Sequence, residues 1–130
     1  VPLGGEGRRA VVRALDRPVA WPKPPAGASL LLLASPGIFA GEPPWLPDAP
    51  GLPGLAAAAV PGSIPISGWN VALSRPRPTR NAVVAGSVYF WNGEPQRGAP
   101  GPFVGIGSDA TATALGYGLA LKGVWKHDES

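Results

Sequence analysis

The residues best suited to chemistry lie in one short run, Ser74-Arg75-Pro76-Arg77-Pro78-Thr79-Arg80. Pro76 and Pro78 bar this run from a helix and favour an extended backbone. Arg75, Arg77 and Arg80 are therefore offered on a stiff chain. A guanidinium meets a phosphate through two parallel hydrogen bonds, and a pre-extended chain loses less entropy on docking. That chemistry is anion recognition. The same run has the form of a proline-rich ligand for an aromatic groove, and its plain alternative is a solvated loop. A second pair, Arg8 and Arg9, follows Gly4-Gly5-Glu6-Gly7. In Gly116-Tyr117-Gly118 the glycines would let a ligand backbone come close, and Tyr117 is a ring able to stack on a base. Gly-rich stretches are more often simply turns.

Catalytic constellations are sparse. The single His, His127, sits in the polar tail, and there is no Cys, which excludes disulfides and thiolate metal sites. No carboxylate pair has ligand spacing except Asp128-Glu129, so no metal and no cofactor is expected. Residues 105–110 read Gly-Ile-Gly-Ser-Asp-Ala, a formal match to the dinucleotide-binding fingerprint. A small dinucleotide-binding enzyme using Gly105, Gly107 and Asp109 is the catalytic alternative. Its context is poor, because only Phe103-Val104 can supply the preceding strand and the chain ends after the next one.

With 19 Gly and 18 Pro in 130 residues, more than a quarter of the chain is turn-forming, enough to raise disorder. The 45% of hydrophobic residues, only 15% charged residues and five Trp argue for a folded domain with long loops. The length suits one domain. The chain has no Met and begins with Val1, so a fragment of a longer protein is expected. One Gln, three Asn and many Pro suit a thermophile, although GC-rich coding gives the same bias. The net charge of +3 falls into two basic blocks, residues 1–25 and 67–97, rather than an even sprinkle. Such blocks suit phosphate contact better than a uniform excess does. No apolar run approaches the roughly 20 residues of a membrane span, and no signal peptide is visible.

The elements that must position these groups follow from periodicity. Residues 8–15 alternate as a strand, with Arg9, Val11, Arg13 and Leu15 on one face. Residues 29–34, with four consecutive Leu, predict a strand buried on both faces, closed by Pro36-Gly37. The five prolines of residues 41–54 predict a loop pinned by Trp45. Residues 55–60 suit a short helix, and residues 67–73 a strand. Residues 83–91 form the clearest strand, with Tyr89 and Trp91 sharing a face and Asn92-Gly93 as the turn beyond. A short helix capped by Ser108-Asp109 should run through Leu115 and stop at a left-handed Gly116, before a final strand over residues 119–126.

In order, Leu3-Gly4-Gly5-Glu6-Gly7-Arg8-Arg9, Ser35-Pro36-Gly37-Ile38-Phe39, Gly68-Trp69-Asn70 with the Arg-Pro-Arg-Pro-Thr-Arg run, Ala85-Gly86-Ser87-Val88-Tyr89-Phe90 and Gly116-Tyr117-Gly118-Leu119-Ala120-Leu121 resemble one known family. This is the C-terminal part of the third subunit of the type III-B (Cmr) CRISPR effector, a member of the RAMP superfamily. The resemblance implies an α+β, ferredoxin-like (RRM-like) domain over residues 1–130, the second of two in the full subunit. It implies a non-catalytic, cytoplasmic role in antiviral defence. The subunit would help hold the 5′ tag of the CRISPR RNA, and would contact the large polymerase/cyclase-like subunit and the backbone subunit, with no membrane partner. The superfamily's glycine-rich loop maps onto Gly116 and Gly118, while Gly105 and Gly107 offer a second glycine-rich stretch. Arg75, Arg77 and Arg80 are the first RNA-binding candidates, Arg8 and Arg9 the second, and Tyr117 the stacker. The alternative is a protein-only module docking through its Trp- and Pro-rich loops.

Overall fold

The computed structural model describes residues 9–20, 23, 26–96, 103–107 and 110–125. In chain order the elements are β1 (Leu30–Leu33), β2 (Leu55–Ala59), β3 (Ser63–Ile66), β4 (Trp69–Asn70), β5 (Arg75–Pro76), β6 (Arg80–Val83), β7 (Val88–Trp91), β8 (Phe103–Gly105), α1 (Ala110–Ala114) and β9 (Leu119–Gly123). Five strands form one antiparallel sheet in the order β2-β7-β1-β9-β8. Two small sheets stand apart, β3 with β6 and β4 with β5. With one five-residue helix among the described residues, the class is α+β, dominated by antiparallel sheet.

The four leucines of β1 take the centre of the large sheet because a strand with neighbours on both edges needs apolar residues throughout. Leu31 and Leu33 are buried and Leu30 and Leu32 half-buried, so the expected double burial is complete on one face only. The buried face joins Leu31 and Leu33 to Phe39, Val83, Tyr89, Trp91, Val104, Ile106 and Ala120. Phe39 meets Tyr89 edge-on at 6.3 Å, and Tyr89 stacks near Trp91 at 6.2 Å. On the opposite face Phe90 lies 5.1 Å from Trp125. The Tyr89 hydroxyl donates to the Trp45 carbonyl at 2.7 Å, so the proline-rich loop is pinned through the Trp45 backbone while its ring stays 39% exposed.

Four expectations need correction. Residues 55–60 form no helix, since β2 pairs antiparallel with β7. Alanine favours a helix, but so short a run between Pro53 and Pro61 cannot nucleate one, and the open edge of β7 supplies a ladder instead. Residues 83–91 are two strands, because Gly86 adopts φ +90° and the chain leaves β6 to cross into the large sheet as β7. Residues 67–73 hold only the two-residue β4 and a turn. In residues 8–15, Arg8 lies outside the described residues, and residues 11–15 form no strand, with Val11, Val12 and Leu15 at least 71% exposed. Their alternation meets no described ladder partner, and period alone does not make a strand. Among the described residues no helix is long and apolar enough to cross a membrane.

Burial holds the Tyr89 phenol well above its ordinary value near 10. The folded chain therefore keeps this proton after the unfolded chain has released it. The stability tied to it is complete below about pH 10 and declines as pH rises further. Tyr89→Phe should cost about 1 kcal/mol at neutral pH, because the hydrogen bond to Trp45 is removed. The gap between wild type and Y89F in urea titrations should narrow above about pH 10; a gap that stays constant would contradict this account.

Candidate functional site

Three residues after β1 tie together two distant parts of the chain. The Ser35 hydroxyl donates to the Gly116 carbonyl at 2.6 Å and accepts from the Leu119 amide at 2.9 Å. The Pro36 carbonyl accepts from the Gly118 amide at 2.8 Å. Gly37 exchanges two hydrogen bonds with Val83, at 2.9 and 2.8 Å. A Cβ on Gly37 would run into the buried Phe39 ring, so only glycine fits this bridge. The Arg80-bearing strand and the Gly116-Tyr117-Gly118 loop are thus fastened to the same turn.

The loop's shape follows from how α1 ends. The Tyr117 amide bonds to the Ala112 carbonyl and the Gly116 amide to the Thr113 carbonyl, with Gly116 at φ +89°. These are the paired bonds of a Schellman stop, which carries a hydrophobic contact between the residue after the glycine and the helix's last turn. Tyr117 makes that contact, packing on the small cluster of Ile38, Ala82 and Ala112. Gly118, at φ +73°, serves a different need. A Cβ there would come within 3.0 Å of the Gly107 amide nitrogen, so this is a backbone-on-backbone approach.

The Arg-Pro run folds back on Gly68-Trp69-Asn70 as a hairpin. Trp69 faces Pro76 and Asn70 faces Arg75. The Leu73 amide donates to Asn70 Oδ1 at 3.1 Å across the turn, where Ser74 has φ +46°. The Arg77 amide bonds to the Gly68 carbonyl at 2.7 Å, and the Ser67 hydroxyl bonds to the Arg77 carbonyl at 3.2 Å. Of the residues 74–80 expected to be extended, Arg75–Pro76 and Arg80 lie in strands, while Ser74 belongs to the turn.

Between this hairpin and the end of α1 lies a groove of about 390 Å³. Ile38, Ile66 and Ala112 contribute apolar surface, and Trp69, Tyr117, Arg77 and Arg80 line it as well. Among the described residues that line it, none is acidic. Arg77 also lines a second concavity of about 340 Å³ together with Asn70 and Arg75. Of the residues singled out from sequence, Arg77, Arg80 and Tyr117 share one groove and Arg75 stands beside it. Gly116 and Gly118 shape the loop that carries Tyr117. Arg9 is exposed and lines neither concavity, and Arg8 lies outside the described residues. Trp69 is not among the sequence candidates. A Trp between glycine and Asn, beside a proline-stiffened partner, is the signal that could have found it.

The dinucleotide fingerprint has another explanation. β8 and β9 run antiparallel, so β8-α1-β9 is not the parallel unit that binds dinucleotides. Gly105 and Gly107 make room for Thr113, and a Cβ on Gly107 would stand 2.9 Å from the Thr113 hydroxyl. Asp109 lies outside the described residues.

The two loop glycines should respond differently to alanine. Gly116→Ala meets open space and carries only the left-handed backbone penalty, roughly 1–2 kcal/mol. Gly118→Ala adds a clash with the Gly107 backbone, so it should be the more destabilising in urea titrations. The reverse order would refute the packing described here.

No curated protein matches the chain. The family model described as CRISPR-associated protein (Cas_Cmr3) matches it over residues 1–125, nearly the whole length, and the chain belongs to that family of Cmr complex subunits.

Proposed function

We propose that this chain is the C-terminal, ferredoxin-like RAMP domain of a non-catalytic scaffold subunit in a type III-B CRISPR ribonucleoprotein. In this reading it acts in the cytoplasm in antiviral defence. It helps hold the 5′ tag of the CRISPR RNA and docks against the large polymerase/cyclase-like subunit and the backbone subunit. Family membership supports the assembly, and the antiparallel sheet with a glycine-rich turn leading into its last strand supports the domain type. The observation that carries the RNA contact is the groove itself, in which two arginines and two aromatic rings meet with no acid among the described residues that line it. Single-stranded RNA is held by cations that track phosphates and by rings that stack on bases, so this set of groups matches that ligand. Arg75, Arg77 and Arg80 take the phosphates, with Arg8 and Arg9 as further cationic contacts. Gly116 and Gly118 hold Tyr117 beside the strand.

A second reading has one observation in its favour. At the hairpin turn Val71 is 82% exposed and Leu73 58%, an apolar tip better suited to a protein surface than to phosphate. Under that reading the chain is a protein-only interaction module.

Replacing Arg75, Arg77 and Arg80 together by Ala separates the two. The log–log salt slope of RNA binding should shrink by about 0.7 for each phosphate no longer neutralised, so by about 2 in all. An unchanged slope, with subunit assembly impaired instead, would make the hairpin a protein contact.

A further inference from the structure

Trp69 is a large ring that joins neither core cluster of the described residues. It is 58% exposed on a two-residue strand, held there by pairing with Pro76 rather than by burial. Tryptophan rings dominate the energetics of cores and interfaces through the area they bury, so one left open on a hairpin offers surface to a ligand. The other aromatic of the groove is already committed, because Tyr117 is half-buried as the hydrophobic contact of the helix stop. Arg77, whose amide bonds to the Gly68 carbonyl beside Trp69, lines the same groove as the open ring. Ile38, Ile66 and Leu115 give the same groove apolar surface, beside the hydroxyl-bearing Ser67 and Thr111.

We propose that Trp69 is the stacking platform for one unpaired nucleobase seated in this groove, with Arg77 holding the phosphate of the same nucleotide. The proposal rests on the RNA-holding reading above and adds to it the residue that takes the base. A base with two planar π-faces, joined through its sugar to an anionic phosphate, fits a concavity with apolar surface, an exposed indole and cationic side chains. A paired base does not fit, because both its faces are covered within the duplex. Stacking on an indole is tolerant of base identity, since every base has a π-face. The site therefore fixes where one nucleotide sits and not which base it is.

The test measures binding of a short single-stranded oligoadenylate to the full chain as wild type, Trp69→Ala, Trp69→Phe and the triple arginine variant. W69A should bind roughly 10- to 100-fold more weakly with its salt slope unchanged, because no charge is removed. W69F should recover most of the affinity, while the tryptophan quenching that accompanies binding in the wild type should largely disappear. The thermal midpoint of W69A should stay close to wild type, as expected for an exposed ring. W69A binding as tightly as wild type, with the triple arginine variant still lowering the salt slope, overturns the stacking role and leaves the RNA-holding reading standing. A wild type that shows no salt-dependent binding overturns both. Failure of W69A to bind a neighbouring Cmr subunit, with RNA affinity intact, overturns the proposal in favour of a protein contact.

Discussion

Both sides of the groove hang from the turn formed by Ser35, Pro36 and Gly37. Side-chain and backbone hydrogen bonds from Ser35 and Pro36 hold the Gly116-Tyr117-Gly118 loop, and the pair of hydrogen bonds between Gly37 and Val83 holds the strand that begins at Arg80. The turn is itself fixed by β1, the central strand of the sheet, whose Leu31 and Leu33 are buried in one cluster with Tyr89 and its neighbours. Groups far apart in sequence are placed together in this way. The core supplies the rigidity, the turn transmits it, and the groove presents the result. A site built on such elements holds its geometry better than one carried by free loops.

The groove divides its work between apolar and charged surface. Ile38, Ile66 and Ala112 belong to a second, smaller cluster that also packs Tyr117, so the floor of the groove is part of the fold's own interior. The arginines stand on strands and a hairpin outside that cluster, all exposed, where their charge costs little desolvation. The chain thus keeps cations in water beside apolar surface. Single-stranded nucleic acid asks for that combination, since its bases are apolar plates and its backbone is an anion.

What short-range chemistry controls is legible in the sequence. The leucine strand, the extended Arg-Pro run, the left-handed stop at Gly116 and the burial of Tyr89 with Trp91 all follow from local pattern. What escapes it depends on partners. The alanines of residues 55–59 form a strand because β7 has an open edge, and the apolar run from Val83 is broken because Gly86 turns the chain between sheets. In the site, the arginines are visible by charge and spacing, and Tyr117 by its flanking glycines. Trp69 is hidden because a lone Trp in sequence looks like a core residue. Only its exposure and its pairing with Pro76 on a small separate hairpin show that no core of the described residues receives it. The glycines mark places of close approach, but sequence does not tell a ligand from Gly107 as the thing approached.

The central claim is that the groove beside the Ser35–Pro36–Gly37 turn faces the guide RNA. Photo-crosslinking of the intact Cmr complex to its own CRISPR RNA, followed by mapping of the crosslinked peptides, tests this most directly. The account predicts crosslinks from the 5′ end of the RNA to the hairpin around Trp69 and Arg77. Crosslinks confined to other subunits, with that hairpin instead protected by a neighbouring protein, would contradict it.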